Sequence, residues 1–226
     1  MPISQEIFVP LVLTLKVAVW ATLLASICGV AVAFVIARFS FPGREVVDAA
    51  MTLPMVMPPT VLGYYLLVLI GRRGPIGAWL ESHLGITLVF SWQGAVVAAS
   101  VVAFPLVYKA ARAAFEGVER QYEQAARVLG KSELEVFFKV TLPLAWRGIL
   151  AGVMLSFARS LGEFGATLMV AGSIPGRTQT LSIAVYEAVQ AGRDDVANFL
   201  VILTSVICVT ILVGSGRLLR PRTVAG

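Results

Sequence analysis

Charge is the scarcest commodity in this chain. Of its 226 residues only 14% are Asp, Glu, Lys or Arg, where a soluble domain carries about a quarter. A water-exposed globule is therefore excluded. There are two cysteines, Cys28 and Cys208. Both fall inside apolar runs, which excludes a disulfide framework and leaves the redox compartment open. His83 is the single histidine, and no Cys/His/Asp/Glu group has the spacing of metal ligands, so no metal site is expected. No GxxxxGK[ST] stretch occurs, and the chain cannot bind ATP through a P-loop of its own. The net charge of +5 does not form a nucleic-acid patch, because the basic residues sit in the gaps between apolar runs and mark topology instead.

What is abundant is apolar surface, 58% of the residues. A membrane-spanning helix needs about 20 consecutive apolar residues, and such runs occur at 10–36, 49–70, 90–108, 148–172 and 197–216. The first is too long, and too far from a small-residue cleavage site, for a signal peptide. The expected fold is all-α: one polytopic domain over 1–226 with five membrane helices, its termini on opposite sides. Positive charge sets the orientation. With the N-terminus outside, the internal segments hold Arg38, Arg44, Lys109, Arg112, Arg120, Arg127, Lys131, Lys139, Arg147, Arg217, Arg220 and Arg222. The external loops then hold only Arg72, Arg73, Arg177 and Arg193. This bias predicts N-out and C-in.

The longest internal loop, 119–143, contains EQAARVLGKSELEVFFKVTLP. Tyr122, Ala125, Ala126 and Leu129 share one face of a helix, and Glu123 and Arg127 make an i,i+4 pair on another. Gly130 reads as a left-handed C-cap. Ser132 and Glu135 form a capping box that opens a second helix, whose apolar edge is Leu134, Phe137 and Phe138 and which Pro143 closes. The residues themselves leave two readings: an amphipathic loop lying on headgroups, or a knob that docks into a groove on a cytoplasmic partner.

Gln124-Ala125-Ala126, Gly130 and Val140-Thr141-Leu142-Pro143 resemble the EAA loop of ABC importer permeases, EAA-x3-G-x9-I-x-LP. Gln124 stands at the family's glutamate position, with Glu123 displaced by one residue. The resemblance implies that Glu123, Gln124, Ala125, Ala126, Gly130, Leu142 and Pro143 couple this chain to a separate ATPase subunit, through the alanine face rather than a charge. It implies two permease copies as a homodimer, two ATPase subunits carrying ATP-Mg, and an extracytoplasmic solute-binding protein. This chain is then a transport subunit and not itself an enzyme, binding no cofactor and no nucleic acid, with membrane lipid around it.

Within the bilayer, Pro54, Pro58 and Pro59 must kink or break the second helix. Such breaks are tolerated where freed carbonyls are buried in protein or line a water-filled path. Phe104-Pro105 adds a kink in the third helix. Arg159 and Glu163 sit one turn apart in the fourth, about 18 Å from Arg147 at 1.5 Å per residue. Charges at that depth require pairing. They are either a structural ion pair or, with Pro58 and Pro59, part of an anion's path or gate. Lys16 snorkels to the outer interface.

Outside, Arg72 and Arg73 run against the charge bias. They serve as an interfacial anchor or as a contact for an oxyanion or an acidic surface of a binding protein. Residues 172–180 read as a turn-rich loop and 181–191 as a lid or re-entrant piece. Together RFSFPGREVVD, LPMVMPPTVLGYYLL, GRRGPIG, FSWQGAVVAA and FARSLGEFGATLMVAGSIPGRTQT resemble permeases of bacterial molybdate importers. The cargo this implies is molybdate, with tungstate and sulfate or thiosulfate as alternatives. A secondary transporter would need inverted repeats and more intramembrane ionisable groups, and a membrane enzyme would need a nucleophile with a base in reach. Neither is present.

Overall fold

The computed structural model describes residues 3–219, and side chains between 7 and 214. Arg220 and Arg222, and the side chain of Arg217, lie outside that description. Every regular element among the described residues is helical. In chain order they are α1 (Ile3–Arg38), α2 (Arg44–Val56), α3 (Pro59–Ile70), α4 (Pro75–Leu84), α5 (Trp92–Glu116), α6 (Arg120–Val128), α7 (Glu133–Val136), a π-helical turn (Phe137–Thr141), α8 (Leu142–Leu161), α9 (Gly165–Ala171), α10 (Leu181–Gln190) and α11 (Asp194–Leu219).

Four continuous stretches are long and apolar enough to cross a bilayer: Ile7–Arg38, Trp92–Glu116, Glu133–Leu161 and Asp194–Gly214. The bent pair α2 and α3, which meet at 115°, is a broken fifth span or a re-entrant loop. The single span expected over 49–70 is therefore two helices. Pro58 and Pro59 cause the break, since the residue before a proline is driven out of helical geometry. Met57 is extended (φ −73°, ψ 142°) and its N–H closes α2 on the Leu53 carbonyl. Pro54 is absorbed inside α2 without breaking it.

The span expected over 148–172 is also corrected. Pro143 does not end the elbow. It occupies the first turn of α8, where a missing N–H costs least. The π turn hands the helix on, with Leu142 N–H reaching back to the Phe137 carbonyl. The second elbow helix thus runs straight into the membrane helix. That helix stops at Leu161 rather than 172, and the chain bends through Gly162, Glu163 and Phe164 before α9.

α5 is the central post, with α1 and α8 packed along it. Small residues set how close they come. A Cβ built on Gly148 or Gly152 of α8 would lie 2.6 Å from the Cβ of Ala114 or Ala110 on α5. Gly29 of α1 meets Val107 in the same way at 3.2 Å. Lipid tails are as apolar as leucine, so close backbone approach drives association here. At the far end from the elbow, Lys16 Nζ sits 3.5 Å over the Trp92 ring. α10 packs on α1 and α11, and its Leu181 N–H donates to Thr14 Oγ1 of α1 at 2.8 Å. The supposed lid is a helix seated on the bundle.

Candidate functional site

At the elbow, α6 ends as the sequence predicts. Gly130 has φ +78°, a conformation that costs other residues about 1 kcal/mol or more. Its N–H bonds the Arg127 carbonyl at 2.9 Å and Lys131 N–H bonds that of Ala126 at 3.1 Å, the paired bonds of a Schellman motif. The capping box forms as well: Glu135 N–H donates to Ser132 Oγ and Ser132 N–H to Glu135 Oε2, both at 3.3 Å. Two short helices are thereby held at a fixed turn.

Which face points where differs from the expectation. Glu123 and Ala126 are the buried residues of α6, while Tyr122, Gln124, Ala125, Val128 and Leu129 are exposed. Ala126 therefore belongs to the inner face and Ala125 to the outer one. Across Gly130, Leu134 and Phe138 continue the exposed apolar surface. Phe137 turns inward, its ring 4.7 Å from Phe34 of α1. The expected Glu123–Arg127 pair is absent. Arg127 instead makes a two-pronged contact with Glu133 (2.7 and 3.0 Å), which holds its guanidinium further above its ordinary pKa. Glu123, only 4% exposed, pairs with Arg38 Nη2 at 2.7 Å and accepts from Thr141 Oγ1 at 2.7 Å.

The second group of residues lies where the two breaks meet. α3 packs on α9, and a Cβ on Gly165 would lie 3.0 Å from Pro59 Cβ. The Met57–Pro58 bend and the Gly162–Phe164 bend are therefore neighbours, and Pro59 and Glu163 come to one region from separate spans. Glu163 sits in the second bend, not within a helix. One carboxylate oxygen accepts from Ala166 N–H at 2.9 Å and starts α9. The other lies 2.9 Å from Arg159 Nη1. Glu163 is buried, whereas the Arg159 side chain is 36% exposed. Buried hydroxyls of Ser156 and Ser160 flank this stretch of α8 without protein partners.

Arg72 and Arg73 are exposed at the turn before α4, with Arg72 Nε 3.9 Å from Glu81 Oε1. They are brought to neither of the other groups. Sequence reasoning overlooked α4 itself, although Gly74-Pro75 at its start and Gly85 (φ +65°) after its end are readable helix punctuation. It also missed a polar cluster at the elbow end. There Asp48 of α2 accepts from Tyr108 Oη (2.6 Å) and pairs with Arg112 (2.5 Å) and Lys109 (3.1 Å) of α5. Arg44 meets Glu116 at 2.9 Å beside it. No local pattern announces such a cluster, because its members come from two helices.

Residues 13–225 match the family described as binding-protein-dependent transport system inner membrane component. The chain belongs to that family. It is 46% identical over 203 residues to the molybdenum transport system permease protein ModB of Escherichia coli (strain K12), covering 89% of each chain. It is 42% identical over 194 residues to the putative molybdenum transport system permease protein YvgM of Bacillus subtilis (strain 168), 86% of each. The sulfate transport system permease protein CysW of Synechococcus elongatus is 40% identical over 176 residues, 78% of this chain and 61% of that one. Among solved structures, a bacterial ABC transporter importing alginate superposes with a TM-score of 0.76 at 16% identity, covering 97% of this chain and 81% of that one. The MetNI methionine ABC transporter gives 0.69 at 16%, covering 95% and 93%. This permease is therefore a multi-pass inner-membrane transport component with the ABC importer fold.

Proposed function

We propose that the chain is the membrane-spanning subunit of an ATP-driven molybdate importer. The observation that carries this reading is near-full-length similarity at 46% identity to a permease named for molybdenum transport, joined to a preformed elbow on a chain without a P-loop. The N-terminus lies outside and the C-terminus in the cytoplasm, which puts the elbow and most of the arginines inside. Two copies associate with two ATPase subunits, which hold ATP-Mg, and an extracytoplasmic binding protein delivers the oxyanion. Docking uses the exposed surface of Gln124, Ala125, Val128 and Leu129, extended by Leu134 beyond the turn at Gly130, while Leu142 and Pro143 anchor the elbow to its membrane helix. Small and apolar side chains suit a helix pressed into a groove.

ATP closes the two ATPases, the elbows approach each other, and the paired bends at Pro58-Pro59 and Gly162–Phe164 switch the bundle between outward and inward access. Arg159, charged and partly open at mid-membrane, meets the passing dianion, and Glu163 keeps it compensated when no anion is there. Arg72 and Arg73 face the docked binding protein. The test is uptake of labelled molybdate into proteoliposomes containing this permease with its cognate ATPase and binding protein. ATP-dependent uptake that tungstate suppresses and excess sulfate does not is expected. Sulfate accumulation in preference to molybdate would overturn the cargo. A complex that assembles normally with Ala125→Glu and Leu129→Glu would overturn the docking surface.

A further inference from the structure

Glu123 stands beside the docking surface in sequence, yet its side chain is turned inward and only 4% exposed, on the wall of a cavity that Arg38 and Thr141 also line. Its carboxylate is enclosed by three elements: α6, which carries it, the last residue of α1 (Arg38), and the end of the π turn (Thr141). Arg38 is itself 89% enclosed, its side chain 11% exposed, and a second contact runs from its guanidinium to the Val118 carbonyl before α6 at 3.5 Å. Burying a carboxylate and a guanidinium costs several kcal/mol before their attraction is counted. A purely mechanical filler at this position would be apolar. An ion pair at an enclosed junction of three elements instead fixes one relative placement of them.

We propose that Glu123 is a positioning residue that carries motion of the elbow into the membrane bundle, through Arg38 to α1 and through Thr141 to α8. Glu123 and Ala126 are the buried residues of α6, so a force on its outer face passes inward at these two points. The π turn makes the second connection. In an uninterrupted α-helix the inward stripe containing Val136 would return at 139 or 140. The wider turn delivers Thr141 instead, buried to 1%, and leaves Lys139 outside, paired with Glu135 at 2.7 Å. Phe34 of α1 packs edge-on against both Phe137 (4.7 Å) and Phe115 (5.5 Å), so α1, α5 and the π turn are packed together there. The division of labour on α6 is thus by face: Gln124, Ala125, Val128 and Leu129 receive the partner, and Glu123 passes the displacement on.

This inference rests on the coupling role proposed for the elbow, and the experiment separates the two. Glu123→Gln, Glu123→Asp and Thr141→Val permeases are assembled with ATPase and binding protein in proteoliposomes, and hydrolysis and molybdate uptake are measured together. The expected result is normal copurification of the ATPase, hydrolysis within about twofold of wild type, and uptake per ATP lowered about tenfold in Glu123→Gln. Glu123→Asp recovers part of the ratio. Thr141→Val keeps the charge pair and the side-chain shape, so it serves where Glu123→Gln assembles poorly, and it lowers the ratio about threefold. Uptake and hydrolysis falling in parallel with the amount of assembled complex, or an unchanged ratio in both Glu123→Gln and Thr141→Val, would overturn the proposal. Failure of the docking reading shows differently, as intact assembly in the Ala125→Glu and Leu129→Glu variants.

Discussion

Two buried glutamates, each paired with an arginine, invite direct comparison. Glu123 is 4% exposed and Glu163 3%, and their ion-pair distances are 2.7 and 2.9 Å. Their partners differ. Glu123 reaches across the fold to an enclosed Arg38, while Glu163 takes Arg159 from the preceding turn of its own segment, and that arginine is open on one side. A pair between distant elements holds them in place. A pair within one segment leaves the fold free of it and keeps a charge available at a surface. In the proposed function, the first belongs to the transmission of movement and the second to the path.

The sharpest way to break the comparison is to remove each acid in turn. Glu123→Ala strands Arg38 in an enclosed site and is expected to lower stability by about 3–5 kcal/mol, read as thermal unfolding in detergent. Glu163→Ala is expected to cost less, about 1–2 kcal/mol, because it forfeits the helix cap and leaves an arginine that is 36% exposed, less desolvated than Arg38. Equal losses would erase the distinction. Arg159→Met leaves the buried Glu163 carboxylate without its arginine and is expected to lower the midpoint, whereas Arg159→Lys keeps the charge. A path role predicts that molybdate uptake falls about tenfold in Arg159→Met, about 1.4 kcal/mol of useful interaction, and is largely retained in Arg159→Lys. Gly130→Ala strains the elbow turn by about 1 kcal/mol and is expected to lower ATPase copurification modestly. Arg127→Ala, which removes an exposed pair with Glu133, should leave the midpoint unmoved, since exposed ion pairs contribute little.

The elbow's local grammar was legible in the sequence because capping is a property of neighbours. Gly130 as a left-handed stop and Ser132 with Glu135 as a capping box are each decided within four residues. The spans were legible from apolar run length, and the breaks from prolines 58 and 59. What failed did so for a common reason. Glu123 was assigned to Arg127 by helical spacing, but burial demanded a partner that spacing cannot reveal, and Arg38 was the arginine the fold placed there. Pro143 was read as a stop because a proline ends many helices, whereas a π turn immediately before it let the helix continue. Glu163 was placed inside a helix by periodicity, yet its carboxylate is used to start α9.

The sequence by itself determined that this is an all-helical membrane protein whose charged insert folds as a capped helical elbow, because composition, run length and capping act over short distances. Only the tertiary structure decided which face of the elbow is outward, which arginine each buried glutamate meets, and that the two helix breaks lie side by side. Those outcomes depend on how closely α5, α8 and α9 approach their neighbours, and that closeness is set by glycines and alanines meeting across helices rather than along them.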